Sequence, residues 1–493
     1  MNEPASRKRM LEIIPGALVW ITFTLAIVLS IVQPVWVMIF VIIFDLYWLF
    51  RVVYFLFYLL LAWAQYRRDR ATDWFGRVLE VTGASEIIHV IFLPTFREEL
   101  PVIRATLASL ATAHYPLRNM IVVLAGEEAD QKRFQINAEA VRAEFGHTFR
   151  ALLTTVHPHG LPDEIPGKGS NINYAGHVVQ AYLDKEKIPY DRVMASSFDV
   201  DTIAHPDYFA CLSVKFFTEP NPLRASYQPV ALYNNNLWQA PGIVRIASFG
   251  TTFWLLSELV RPDRMMTFSS HSMPFQMLVD VGFWQKDVVS EDSRIFLQGL
   301  LQYRGDYRVI PIFLPVSMDA VQGKTFWKSL GALYRQQRRW AWGVEHFPFL
   351  ITEFSKLPEI PRWTKFRFLW RHLEGMYTWA TVPVLIFVLG RLPLLVAPKN
   401  VQLGTLFQNT PYTLQTIMNW TMVGILVSAC LSLLLLPPRE DRRRLRAAGV
   451  MLLSWIMLPI TFVVFGSFPA VDAQTRLMFG RYLGFNVTEK KRV

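Results

Sequence analysis

Two long apolar runs stand back to back at the start of the chain, residues 14–32 and 36–63, and they limit what it can become. Each is long enough to cross the hydrocarbon core of a bilayer, which takes about 20 helical residues. A secretory signal would carry one such run and then a small-residue cleavage site. Here the second run follows at once. The pair predicts a helical hairpin with both ends on the cytoplasmic side, flanked by Arg7-Lys8-Arg9 before it and Arg67-Arg68 after it. Asp45 and Arg51 lie within the second run and are expected to face protein or the interface, because a charge facing lipid is costly.

Further apolar runs at residues 376–396, 413–436 and 450–468 predict a second membrane region. Residues 66–350 between the two have the mixed composition of a soluble domain large enough to bury its own core. The net charge of +11 would suit nucleic acid, but the basic residues form no stripe with interleaved aromatics. They cluster beside apolar runs, also at 335–339 and 442–444, as the positive-inside bias and contact with anionic membrane lipid require. No nucleic-acid partner is expected. The two cysteines, Cys211 and Cys430, encode no disulfide framework or zinc site and fit a reducing cytoplasm. The expectation is a multi-pass protein of a bacterial plasma membrane, its middle domain cytoplasmic.

That domain reads as alternating α/β. Residues 86–93, 120–124 and 191–197 have the pattern of buried strands, and residues 100–113 that of a helix. Strands separated by helices predict a mainly parallel sheet with ligands at the strands' carboxyl ends. Residues 326–342 and 362–371 mix basic and aromatic side chains and suit amphipathic helices on the membrane surface. The resulting division is a transmembrane hairpin (1–65), the α/β domain (66–322), interface helices (323–373), a second transmembrane region (374–468) and a tail (469–493).

Several motifs carry chemistry. In Asp199-Val200-Asp201, carboxylates at i and i+2 of an extended chain project to one side and can share Mg2+ or Mn2+ with a diphosphate. Taken alone, a solvated turn explains them better. In Ser290-Glu291-Asp292 a carboxylate either favours a helix N-terminus or serves as a general base. Gln336, Arg339 and Trp340 share one helical face, combining an amide, a guanidinium suited to phosphate and an indole suited to a sugar ring. The same residues also suit a surface-seeking helix. Residues 166–173 (Pro-Gly-Lys-Gly-Ser-Asn-Ile-Asn) are glycine-rich but lack the spacing of a P-loop, which excludes that class of ATPase. His157-Pro158-His159 could hint at a metal, but nothing nearby completes a site.

With Pro94-Thr95-Phe96-Arg97-Glu98 in front, these motifs follow one another in an order that resembles the family 2 glycosyltransferases of the cellulose, chitin and hyaluronan synthase group, which have the GT-A fold. The resemblance spans residues 88–343 and extends to the flanking membrane helices. It implies that Thr95 and Glu98 hold the nucleoside, and that Lys168, Asn171 and Asn173 line the nucleotide site. Asp199 and Asp201 would contact donor and metal, and Asp292 would be the base. Arg339 would meet the pyrophosphate, and Trp340 the acceptor together with Gln336 and Glu291. Phe485-Asn486-Val487-Thr488 is similar to the gating-loop motif that caps bound nucleotide in cellulose synthases, which would bring Thr488 to the donor. The family's second strand ends in an Asp that reads the base; here Glu127 or Glu128 stands in its place. Ser290 replaces the family's Thr, and residues 267–273 occupy the position of a Gly-rich acceptor loop, where His271 is either an acceptor contact or a structural histidine.

The implied chemistry is an inverting, metal-dependent transfer from a UDP- or GDP-sugar. The acceptor is a growing polysaccharide exported through the membrane, or alternatively a lipid that receives one sugar. A catalytically silent scaffold is opposed by the presence of Asp199, Asp201, Asp292, Arg339 and Trp340 together. Three spans after the domain would leave the basic tail outside. The gating motif wants it inside, which predicts that Pro459 turns the last run into a re-entrant or surface-lying segment.

Overall fold

The computed structural model of the chain describes residues 5–436 and 444–484. The centre of the basic loop and the 485–488 motif, Thr488 included, lie outside the described residues. Helix α1 (Ala5–Val32) and helix α2 (Pro34–Arg70) are separated by Gln33 alone, with proline at the first position of α2, where its missing N–H costs nothing. Beyond that proline α2 contains no Pro or Gly, so nothing stops it where the apolar run ends. At ~1.5 Å per residue its 37 residues reach about 55 Å, against ~30 Å of hydrocarbon. The surplus turns bury Leu59, Ala62 and Tyr66 in the same core as Val90 and Phe92 of the sheet. The 65/66 boundary thus falls inside the last turns of α2, with no linker there. Asp45 is buried, and Arg51 pairs with Glu374 at 3.4 Å.

The sheet has eight strands: β1 (Ile88–Pro94), β2 (Met120–Glu127), β3 (Ala151–His157), β4 (Val193–Ser197), β5 (Ile203–Ala204), β6 (Ala225–Tyr233), β7 (His271–Pro274) and β8 (Arg308–Met318). Their order is β3-β2-β1-β4-β7-β6-β8-β5. Strands β3, β2, β1 and β4 are parallel, as are β6 and β8; β7 runs antiparallel between β4 and β6, and β5 antiparallel on β8. The sheet is mainly parallel, as expected, with antiparallel members at β7 and β5. Residues 88–93 of β1 are all buried because both faces are covered, and all but His89 are apolar. Ile88, Val90 and Phe92 join one core and Ile91 and Leu93 the other, the period of two that a strand imposes. The first face is covered by α3 (Lys168–Lys185), α4 (Gly242–Leu259) and the end of α2, the second by helices Leu100–Ala111 and Tyr208–Thr218.

Helix α5 (Glu291–Gln302) precedes β8, and α6 (Phe326–Ala341) follows it. The expected interface helix at 362–371 is not a separate element. No proline stands between it and the next apolar run, and both belong to α7 (Arg362–Phe387), which bends by 40° into Leu389–Val396. Helix α8 (Thr405–Leu434) packs along α2, with Gly424 close against Val52 and Leu56. Among the described residues four helices are long and apolar enough to cross a membrane, five if the bent pair counts as one span. The last candidate, Ala448–Met478, is irregular: a 3-10 turn at Trp455–Met457, then Pro459, a π-helical turn at Val463–Ser467, and α9 (Phe468–Met478). Its first part lies beside the sheet domain and its end against α6 and α1. Trp455 Nε1 donates to Ser432 Oγ (3.3 Å) at the end of α8 that Asn234 grips through the Leu435 carbonyl. Asp472 in α9 pairs with Arg338 of α6 at 2.8 Å, and Arg9 of α1 donates to the carbonyls of Leu477 and Met478.

Candidate active site

Because β2, β1 and β4 are parallel neighbours, their carboxyl ends deliver Glu127, Thr95 and Asp199 to one edge of the sheet. Helix α3 begins at Lys168, and α5 carries Asp292 in its first turn. Three of these groups meet. Lys168 Nζ donates to Asp199 Oδ1 (2.9 Å) and to both oxygens of Asp292 (2.9 and 3.2 Å). Ser269 Oγ donates to the other oxygen of Asp199 (3.0 Å). Burial works against the charge of Lys168, but Asp199 and Asp292 outweigh it and hold the ammonium well above its usual range. The two carboxylates stay about a quarter exposed, 27% and 23%, so each can still meet a ligand.

Asp201 does not join them. Residues 199–201 form a turn rather than extended chain, so the two carboxylates do not share a side. Asp201 is fully buried, and its Oδ2 accepts the backbone N–H of Asp319 (2.9 Å). His271 is also fully buried, which suits the structural alternative of the two expected for it. Its Nδ1 donates to the Phe268 carbonyl (2.8 Å) and lies 3.9 Å from Asp292 Oδ1, while burial pushes its pKa down to about 4 and keeps the ring neutral. Glu291 is buried against α3 instead of facing an acceptor: a side chain at Gly169 would come within 3.2 Å of its Cβ. Burial, and then the charge of Asp292, push the Glu291 pKa up to about 8.

Beside the carboxylates stands an aromatic wall. Trp340 packs against Tyr233 and Phe268, each with ring centroids 5.7 Å apart, and Phe268 continues to Trp254 at 6.0 Å. Gln336 lines a small crevice with Tyr233 and Trp340. Arg339, on the same helix, acts electrostatically on Glu291 and Tyr233. Tyr233 feels Asp199, Asp201, Asp292 and Arg339 together, and burial pushes its pKa well up. Sequence reasoning missed Tyr233, and it marked the 267–273 segment as an acceptor loop without singling out Phe268 or Ser269.

Other expected residues brace the site from outside. The backbone N–H and Oγ1 of Thr95 and Nδ2 of Asn171 all donate to the Ala125 carbonyl (2.8, 3.3 and 3.0 Å), locking β1, β2 and α3 together. Asn173 Nδ2 pins the loop before α5 through the Trp284 carbonyl (2.6 Å). Glu98 accepts the N–H of Phe96 within its own turn. Glu127 Oε2 meets His157 Nδ1 (3.0 Å), whose Nε2 meets Glu164 (3.0 Å). Burial lowers the His157 pKa, but the two carboxylates outweigh it and raise it on balance. The backbone N–H of His159 donates to Glu128 (2.7 Å), and among the described residues no group of three metal-type side chains forms.

No family model matches the chain, and no curated protein matches it by sequence. Among solved structures it is similar to a mannosyltransferase from Pyrobaculum calidifontis in complex with GDP-Man and Mn2+ (14% identity, TM-score 0.45), over 90% of this chain and 99% of that one. It is also similar to residues 1–349 of TarS from S. aureus in complex with UDP-GlcNAc (12% identity, TM-score 0.37, 81% and 94% of the chains). A third is glucosyl-3-phosphoglycerate synthase from Mycobacterium tuberculosis in complex with Mg2+ and UDP (14% identity, TM-score 0.31, 52% and 78%).

Proposed function

We propose that the chain is an inverting glycosyltransferase with a GT-A-type domain on the cytoplasmic face of a bacterial plasma membrane, moving sugar from a UDP- or GDP-sugar to a growing polysaccharide. One observation carries this reading: Lys168 joins Asp199 to Asp292 beside the wall of Tyr233, Trp340 and Phe268. That combines a carboxylate able to take a proton, positive charge suited to a diphosphate, and rings suited to a sugar.

In the proposed reaction Asp292 takes the proton of the acceptor hydroxyl while its oxygen attacks C1 of the donor. The bond from C1 to the diphosphate breaks, its electron pair leaving with the nucleoside diphosphate. Lys168 and Arg339 offset that charge. Attack opposite the leaving group converts an α-linked donor into a β-linked product. The residues present fit Mg2+ or Mn2+ through Asp199, a partly exposed carboxylate of the kind such cations use together with substrate phosphates. Asp201, whose Oδ2 accepts the backbone N–H of Asp319, lies deeper than Asp199 and would reach such a cation only through its other oxygen. When bound, the cation supplies further neutralisation of the diphosphate.

The anchoring of α9 against α6 and α1 supports a tail on the side of the sheet domain, and with it the polymer reading. A second reading, one sugar placed on a lipid, is favoured by Trp254: it extends the aromatic wall onto α4, which packs against α2, and is 49% exposed. The test is purified protein in lipid, given a panel of UDP- and GDP-sugars with Mg2+ or Mn2+, with nucleotide release and product size measured. Long polymer supports the first reading and one-sugar lipid the second. Absence of release with every donor rejects both, and release unaffected by Asp292→Asn rejects the assigned base.

A further inference from the structure

The turn that carries Asp292 is held by a segment, residues 342–349, that lies outside the cluster of Lys168, Asp199 and Asp292. Ser290 stands at the N-cap of α5, where a serine side chain normally accepts a backbone N–H of its own helix; here it makes no such bond. Its hydroxyl instead donates to Glu345 Oε1 (2.5 Å). The other oxygen of Glu345 accepts Trp342 Nε1–H (2.9 Å). Three residues after Ser290, Ser293 Oγ is bonded to His346 Nε2 (2.8 Å). Next to it, the buried Arg294 lays its guanidinium 3.7 Å over the ring of Phe349. Positions 290, 293 and 294 are thus each fixed to 345, 346 and 349, with Asp292 between them.

The holding segment is itself fixed on two further sides. It follows directly on α6, the helix of Arg339 and Trp340. The Gly343 carbonyl meets His372 Nε2 of α7 (2.9 Å), and the Trp342 ring meets Tyr482 of the tail at 6.4 Å. A half-buried carboxylate is costly unless its oxygens are used, and both are.

We infer that Glu345 is a positioning residue for Asp292: it fixes the turn of the base to the helix of Arg339 and Trp340, so that displacement of α7 or of the tail reaches the reacting proton. The inference rests on the glycosyl-transfer reading and goes beyond it by assigning a role to a residue remote from the ligands. Glu345→Leu removes both acceptors. Glu345→Gln keeps an acceptor for Trp342 and offers its amide N–H to Ser290, so it should rescue. Ser290→Ala cuts a single link.

The experiment uses the full chain in lipid and measures kcat and donor KM for nucleotide release, with backbone hydrogen exchange at residues 290–294. Expected for Glu345→Leu and Ser290→Ala is a fall in kcat of about tenfold or more, the cost of a small misplacement. Donor KM should stay within about twofold, because ground-state binding is untouched. Exchange at 290–294 should quicken in both, and Glu345→Gln should stay near wild type on both readouts. Wild-type kcat in Ser290→Ala, or a change confined to KM, or unchanged exchange at 290–294, would overturn the inference. If Glu345→Leu does not fold, Ser290→Ala decides alone. If wild-type protein turns over no sugar nucleotide, the glycosyl-transfer reading fails instead, and the exchange data still decide whether Glu345 holds the turn.

Discussion

Lys168→Met should produce a stability defect that depends on pH. Asp199 and Asp292 each approach the same nitrogen at 2.9 Å, so their oxygens lie at most about 6 Å apart. Without the ammonium, two charges at that separation repel by about 3 kcal/mol at an effective dielectric near 20, suited to carboxylates this close to the surface. That repulsion raises the pKa of one of the two carboxyls above the ordinary ~3.9 of an aspartate. Above that ordinary value the folded variant keeps a proton that the unfolded chain has lost. The defect is therefore small below pH ~4, grows as pH rises, and is complete once pH has passed the raised value. At ~2–4 °C per kcal/mol for a domain of this size, the thermal midpoint of lipid-embedded variant should fall by roughly 6–12 °C at pH 7.5 and by much less at pH 4.5. Mg2+ added at pH 7.5 should narrow the gap by standing in for the lost positive charge. An equal deficit at both pH values would refute the argument.

Glu291→Gln should flatten the alkaline side of the stability profile. The folded-state pKa of Glu291 is raised to about 8, so its contribution is full below its ordinary pKa near 4.5 and is lost as pH rises through 8; the variant's midpoint should fall less than wild type between pH 5 and 9. Asp199→Asn should weaken Mn2+ binding in the presence of nucleoside diphosphate, measured by calorimetry, whereas Asp201→Asn should mainly lower the thermal midpoint, since Asp201 serves the backbone of Asp319. Trp340→Ala should raise acceptor KM and leave donor KM near wild type, because its ring contacts belong to the aromatic wall; the reverse pattern in initial-rate kinetics counts against that assignment.

What the sequence revealed followed from local rules. The apolar runs at 86–93 and 120–124 became β1 and β2, and the hairpin became α1 and α2, because burial on both faces or in lipid leaves long apolar stretches. The continuation of α2 into the sheet was harder to see: charges mark where a bilayer ends, not where a helix does. The fate of Asp201 depended on an N–H at residue 319, and that of Glu345 on a hydroxyl at 290, partners that no spacing rule connects. Lys168 was legible as a cation in a glycine-rich turn. That it would join Asp199 to Asp292 was not, since the two arrive from different elements.

The passage of α2 unbroken from bilayer to sheet core fixes one length in the molecule. An enzyme on a slack tether samples a range of heights above its membrane and can yield when the membrane changes. Here Leu59, Ala62 and Tyr66 bolt the mast into the hull, so the working edge of the sheet stands at a set elevation. With α2 crossing the bilayer as proposed, a thicker or thinner one would be felt as tilt of the whole domain.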